Sequence, residues 1–335
     1  MAKHGIFIQE EATALTVPVE CSASIPVAIG IAPVNMAEDP SAVVNVPILA
    51  NSASEAMAAL GYSEAADFSA YTLCQVMYTT GNLFAVAPAV YINVLDPSKH
   101  KEALAETSVE VSQMQATIEK FGVLKDGLTV KSGATALALD TDYTLEFDSA
   151  TGYLVISLIA GGAGASATSL TVSGNVLKPS LVTASDIIGA YDAATGKETG
   201  LQLIRQVYPK LGVVPGLIIA PGFSQDPAVG SAMAAKAANI NGIFKAMAIL
   251  DLDTTKAKKY TDCKTVKEES GFTSAYCAVV WPCDKVGDKI FAKSAVMAAL
   301  TAYQDANNDD VPSASPSNKM LGVSGQCGGR NRDQP

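Results

Sequence analysis

The sequence predicts a mixed fold: α/β by its order of elements, α+β overall, with a discontinuous α/β core interrupted by a β-rich domain. Three observations carry that reading. Two separate blocks alternate buried-strand runs with helix-period runs. The stretch between them consists of short alternating strands with turn signals. And 49% of the 335 residues are hydrophobic against 17% charged, which supplies a large core and rules out general disorder.

The first block opens on GIFIQEEATALTVPVE, where Ile6 and Ile8 alternate with Phe7 and Gln9 in the manner of a strand. IPVAIGIAPV, from Ile25 to Val34, is a continuous apolar run ending near Pro33, as expected of a strand buried on both faces. A helix follows in SASEAMAALG, opening on Ser52 or Ser54 and closing on Gly61. FSAYTLCQVMYTTG repeats apolar residues at helical spacing and again ends on glycine, while Phe84 to Leu95 reads as a second buried strand region.

From about Asp96 to Val182 the pattern changes to short strands. The clearest is a hairpin over Tyr143 to Ile159, with Asp148-Ser149-Ala150-Thr151-Gly152 as its connection. The stretch GGAGASATSLTVSG reads as a flexible loop leading into a strand, because no Lys-Ser/Thr pair and no helix follow its glycines as a phosphate loop requires.

Helices and strands alternate again after Thr183. Ser185 and Asp186 open one helix, and Leu201, Ile204 and Val207 share one face of the next. GLIIAPGFSQDPAV then reads as a strand, a Pro221-Gly222 turn and a helix capped by Ser224 or Asp226. After strands in KAMAILDLD and AYCAVVWP, the run GDKIFAKSAVMAALTAYQDAN reads as a helix with Asp288 and Ser294 as cap candidates. The organisation expected is therefore an N-terminal arm over 1–20, core over 21–95, a β-rich insertion over 96–182, core again over 183–320, and an irregular tail over 321–335.

The formal net charge of −10, with no dense Lys/Arg block, argues against a nucleic-acid partner; Lys256-Ala257-Lys258-Lys259 reads as a solvated helix end. No run reaches the roughly 18 apolar residues of a membrane span, and the N-terminus lacks the apolar core of a signal peptide. The expectation is a soluble protein made in the cytoplasm. Six scattered cysteines without a Cys-x-x-Cys pair read as reduced, packing residues.

No catalytic constellation assembles from the sequence. Ser224 lacks the second glycine of a nucleophile elbow, and only His4 and His100 could serve as its base. The same loop lacks the three glycines of a dinucleotide site. Asp251 and Asp253 at a strand end could hold a magnesium ion, though capping is the commoner role of such residues. Asp305 to Asn318 lacks the spacing of a calcium loop and reads as a turn-rich connector. No catalytic residue, cofactor or metal is assigned. The alternative kept open is an α/β enzyme or small-ligand-binding protein with a site over Pro221–Asp226.

HGIFIQEE, PGLIIAPGFSQDPAV, AILDLDT, AVVWPCDKVGDKIFAKSAVMAALTAYQD and PSASPSNK, in that order, resemble the contractile phage tail sheath family, including sheaths of phage-derived bacteriocins. The resemblance covers about 1–95 and 183–320. It implies an assembly protein and not an enzyme: subunits stacked as hexameric rings around an inner tube, contracting to drive the tube through a cell envelope. The partners implied are further sheath subunits, the tail tube protein, and baseplate and tail terminator proteins, with the subunit in the virion tail after assembly in the host cytoplasm. By the same resemblance Gly5, Ile6, Phe7, Ile8, Gln9 and Glu10 are the candidate inter-subunit arm, within a segment extending to Ala14, adding a strand to a neighbour's sheet. Pro221 and Gly222 are then a structural turn. The family continues from its SPSN region into a substantial C-terminal domain, so this chain is expected to be shortened there.

Overall fold

The computed structural model describes residues 19–20, 22–313, 315–317, 319 and 325–327. Gly5 to Ala14, the candidate arm, lies outside the described residues.

The first block contains β1 (Val19–Glu20), β2 (Pro26–Gly30), β3 (Pro47–Ala50), α1 (Ala53–Leu60), α2 (Thr72–Tyr78), β4 (Val86–Ala87) and β5 (Ala89–Asn93). Every residue of β2 and β5 is buried, the signature of strands covered on both faces. Helix α1 is capped by Ser52, whose hydroxyl accepts the Glu55 N–H, and it stops at Gly61 because φ there is +79°. The helical signal of Phe68 to Gly81 is only half realised. Phe68 to Tyr71 form turns, and α2 passes at Thr79 into a π-type turn through Leu83.

The interruption comprises β6 (Lys101–Glu110), β7 (Gln115–Phe121), β8 (Thr129–Ser132), β9 (Thr135–Ala136), β10 (Tyr143–Phe147), β11 (Tyr153–Leu158) and β12 (Ser169–Leu177). They form two antiparallel sheets, ordered β10-β11-β7 and β6-β12-β8-β9. Between them lies a separate hydrophobic cluster that includes Ile118, Val130, Leu154, Ile156, Leu170 and Val172. The alternating burial of β11, every second residue inside, is what a sheet with one wet face requires. The β10–β11 hairpin pairs Tyr143 with Leu158 and Phe147 with Leu154.

The chain then supplies α3 (Ala184–Ile188), α4 (Ile204–Leu211), β13 (Leu217–Ile219), α5 (Pro227–Ala238), β14 (Met247–Asp251), α6 (Cys263–Glu269), β15 (Cys277–Val280), β16 (Cys283–Val286), β17 (Lys289–Phe291), α7 (Lys293–Ala306) and β18 (Gly325–Cys327). The two blocks merge in one six-stranded sheet, ordered β15-β14-β13-β2-β5-β3. Its members run parallel except β3, which closes one side antiparallel to β5. Helices α1, α2 and α7 adjoin one another over one face, with α3 and α5 together over the other. One hydrophobic cluster spans both blocks, from Ile25 to Ala302, which makes the core discontinuous in sequence and continuous in space.

Two helix starts differ from the caps expected of the sequence. Helix α3 opens on Thr183, whose backbone N–H and hydroxyl both donate to Asp186; Ser185 lies inside the helix. Asp288 caps no helix, because Gly287-Asp288 is the turn of the β16–β17 hairpin and α7 begins only at Lys293. Val286, Ile290 and Phe291 pair as strand residues in a stretch whose composition reads as helical.

Candidate functional site

The loop after β13 lies at the carboxyl end of parallel strands, where open α/β sheets place their ligands. Leu217, Ile218, Ile219 and Ala220 are all buried, and the chain then turns over Pro221 to Gln225. Gly222 has φ +80°, and a Cβ there would stand 3.0 Å from Thr72 Cγ2. Asp226 caps α5, its carboxylate accepting the N–H groups of Ala228 at 2.8 Å and Val229 at 3.4 Å. Pro227 follows in the first turn, where no N–H is needed.

Ser224 does not cap the helix. Its side chain is fully buried and donates to Asp251 Oδ2 at 2.9 Å, while the Asp251 N–H donates back to Ser224 Oγ at 3.0 Å. Asp251 ends β14 and also accepts from Ser294, at 2.8 Å from its N–H and 2.6 Å from its hydroxyl. Burial pushes the Asp251 carboxyl above its usual range, against the pull of these hydrogen bonds and of Lys293.

Next to Ser294, Lys293 Nζ lies 2.5 Å from Asp284 Oδ1, with side-chain exposures of 8% and 0%. Among the described residues Asp284 Oδ2 is buried without a hydrogen-bond partner, and desolvation raises this carboxyl as well. A cleft of about 310 Å³ borders the cluster, lined among others by Gln75, Gly222, Gln225, Asp251 and Lys293.

This geometry leaves little free chemistry in the loop. An anion cradle needs unspent amides at the helix start. Here the N–H groups of Phe223 and Ser224 go to the Ala220 carbonyl and that of Asp226 goes to the Phe223 carbonyl; Ala228 and Val229 are taken by Asp226. A serine nucleophile of the Ser-His kind needs an imidazole within hydrogen-bond reach. Ser224 instead contacts a carboxylate directly. His100 sits at the junction with the β-rich sheets, its Nδ1 accepting the Asp96 N–H at 2.9 Å and its Nε2 3.9 Å from Asp186 Oδ2.

The other residues singled out in the sequence disperse. The glycine-rich loop after β11 wraps Asp142, whose carboxylate accepts the Ala163 and Ala138 N–H groups, each at 2.8 Å; these backbone bonds hold it below the usual carboxylate range. Asp253 Oδ1 is occupied by the N–H and hydroxyl of Thr255, so the two strand-end carboxylates do not converge on a cation. Among the described residues no group of three metal-ligating side chains occurs, and no helix is long and apolar enough to cross a membrane. Cys74, Cys263 and Cys277 form no disulfide, and burial raises the Cys74 thiol. Lys256, Lys258 and Lys259 are exposed and precede α6.

Sequence reasoning missed the Asp251 hub and the Lys293–Asp284 pair. The available signal was a charged residue closing an otherwise buried apolar strand, since such a residue needs partners to stay there. It missed a second tether too: the Ser22 N–H and hydroxyl donate to Asp310, each at 2.9 Å, and the Ser24 hydroxyl donates to buried Asp305.

No protein-family model matches the chain. A curated tail sheath protein of Burkholderia phage BcepMu is 28% identical over 243 residues, which is 72% of this chain and 47% of that protein. The chain thus spans about half the length of that relative. Among solved structures, a chain of the anti-feeding prophage baseplate aligns with 97% of this chain and 59% of its own length, at 13% identity and a TM-score of 0.47. The sheath tail protein of Desulfitobacterium hafniense aligns with 90% of this chain and 62% of its own length, at 11% identity and a TM-score of 0.38. Over those 243 residues the chain is similar in sequence to a phage tail sheath protein.

Proposed function

We propose that the chain is a structural subunit of a contractile tail sheath. Its copies stack as hexameric rings around an inner tube and contract to drive that tube through a cell envelope. The observation that carries this reading is the sequence match to a tail sheath protein over 243 residues. The spent amides and directly acid-bonded serine of the Pro221–Asp226 loop support it, because they make that loop a brace between sheet and helix. Pro221 and Gly222 are its turn.

In this reading the partners are further copies of the chain, the tail tube protein, and baseplate and tail terminator proteins, within a virion tail assembled in the host cytoplasm. Gly5, Ile6, Phe7, Ile8, Gln9 and Glu10 form an inter-subunit arm that adds a strand to a neighbouring sheet. The proposed division is arm 1–20, core 21–95 and 183–320, insertion 96–182, and tail 321–335. Separate hydrophobic clusters for the six-stranded sheet and for β6–β12 support that division.

The test is electron microscopy of the chain alone and co-expressed with the tube protein. Rings or tubes are expected in at least the second preparation. Monodisperse monomers in both, carrying a tightly bound small molecule by native mass spectrometry, would overturn the proposal.

A further inference from the structure

The charges of the core are segregated by sequence. Ser22 to Leu95 contains five carboxylates, Glu38, Asp39, Glu55, Glu64 and Asp67, and no lysine or arginine. All five are exposed. Lys256 to Lys267 reverses the balance with five exposed lysines, 256, 258, 259, 264 and 267, against Asp262. The Asp262 carboxylate accepts the Lys258 and Lys259 N–H groups and so lies beside these lysines. Glu268 and Glu269 follow at once, with Glu268 4.0 Å from Lys264, and Asp253 lies beside Lys256, so the excess positive charge is small and rests on Lys256, Lys258 and Lys259.

The sheet sends these groups to opposite flanks. Strand β3 is the last strand on one side and β15 the last on the other. Glu38 and Asp39 lead into β3, and Glu55 sits in the first turn of α1, which packs on β3; α4 packs there too, its Arg205 paired with Glu198 and its Lys210 exposed, so this flank keeps a net negative charge. The lysines lie in the connection from β14 to β15, and the Trp281 indole N–H, next after β15, donates to the Ala257 carbonyl at 2.8 Å. Each flank also exposes an apolar group: Val46, next to β3, is 39% exposed and Tyr260, among the lysines, is 63% exposed. Glu64 and Asp67 lie further along, where Lys289 donates to the Glu64 carbonyl and partly offsets them.

We infer that the β15 flank of one copy docks on the β3 flank of the next, with Lys256, Lys258, Lys259 and Tyr260 meeting Glu38, Asp39, Glu55 and Val46. This rests on the self-assembly reading above and names the surface that serves it. Like flanks repel and unlike flanks attract, so the contact is head to tail. Such a heterologous contact propagates from copy to copy, closing a ring or extending a helix, where a self-complementary patch would stop at a dimer. Charge complementarity of this kind fixes register and rejects the wrong pairing.

The experiment is sedimentation velocity of the full chain at about 0.01 M and about 0.5 M salt, where the screening length falls from roughly 30 Å to a few ångströms. Self-association is expected at low salt and is weakened about tenfold or more at high salt. The triple variant Lys256→Glu, Lys258→Glu, Lys259→Glu and the double variant Glu38→Lys, Asp39→Lys each lose self-association by a similar factor. Mixed together they associate again, because each now carries the flank that the other lacks; this also shows that both remain folded. Tyr260→Ala weakens association at either salt. Variants that associate like the parent chain would overturn the surface while leaving self-assembly standing. A parent chain that stays monomeric at low salt up to about 100 µM, well above the micromolar range of modest interfaces, would overturn the surface, while the sheath reading itself stands or falls on the co-expression microscopy.

Discussion

Asp251 and Ser294 are 43 residues apart, yet the Asp251 carboxylate holds both the backbone N–H and the hydroxyl of Ser294. Helix α7 has Ala292 at its N-cap position and no side-chain cap of its own. A strand end therefore caps the helix from across the fold, and Gln75 Oε1 takes the Ala292 N–H at 2.8 Å. The cap joins the second block's sheet to its longest helix and the first block's α2 to the same helix end.

Replacing Asp251 tests that junction. Asp251→Ala removes the cap and strands two buried hydroxyls, which should cost about 2–4 kcal/mol in urea unfolding. Ser224→Ala removes one donor and should cost about 1 kcal/mol, with an unchanged circular dichroism spectrum. A larger loss for Ser224→Ala than for Asp251→Ala would contradict the hub geometry.

The Lys293–Asp284 pair should show strong coupling. Lys293→Met leaves Asp284 buried and alone, at a cost of about 3–5 kcal/mol. Adding Asp284→Leu to Lys293→Met should recover much of that loss, because two apolar side chains no longer need each other's charge. Additive single losses in the double-mutant cycle would argue that the pair is exposed in solution.

The pH dependence follows from the raised Asp284 carboxyl. Its unfolded value is near 4, so between that and the higher folded value the native state binds the extra proton. Its contribution to stability is present below about pH 4 and is lost as pH rises through the folded value. The stability advantage of the parent chain over Asp284→Asn should therefore narrow as pH rises above about 4. A constant difference over that rise would show that Asp284 titrates normally.

The tip of the β6–β7 connection can be improved. Gln113 and Met114 both have positive φ, +52° and +63°, and the Ser112 and Gln115 N–H groups each donate to the other's carbonyl across the turn. Two-residue turns of that shape favour Asn-Gly. Gln113→Asn with Met114→Gly should stabilise the β-rich insertion by about 0.5–1 kcal/mol, read as a higher midpoint in thermal unfolding. A lower midpoint would mean that the turn is reshaped in solution.

Local signals in the sequence were enough for the mixed fold class and for elements whose determinants lie within a few residues. Ser52 and Gly61 bracket α1 because a cap and a left-handed stop act over one turn. Tyr143 to Ile159 reads as a hairpin, and pairs from Tyr143 to Leu158, because alternation and a glycine-bearing connection are both local. The β16–β17 hairpin escaped notice because Val286 to Phe291 has no strong turn signal beyond Gly287, and its apolar spacing also suits a helix.

For the loop after β13, the sequence by itself determined that a strand stops at Pro221-Gly222 and that a capped helix follows. It left Ser224 and Asp226 equivalent as caps and Asp251 as a possible metal ligand. Only the tertiary structure decided between them, by burying Ser224 against Asp251 and placing Ser294 on the other side of the same carboxylate. The physical reason is desolvation. A buried carboxylate needs donors in three dimensions, and these two come from 27 residues before it and 43 residues after it, beyond the range of any local pattern.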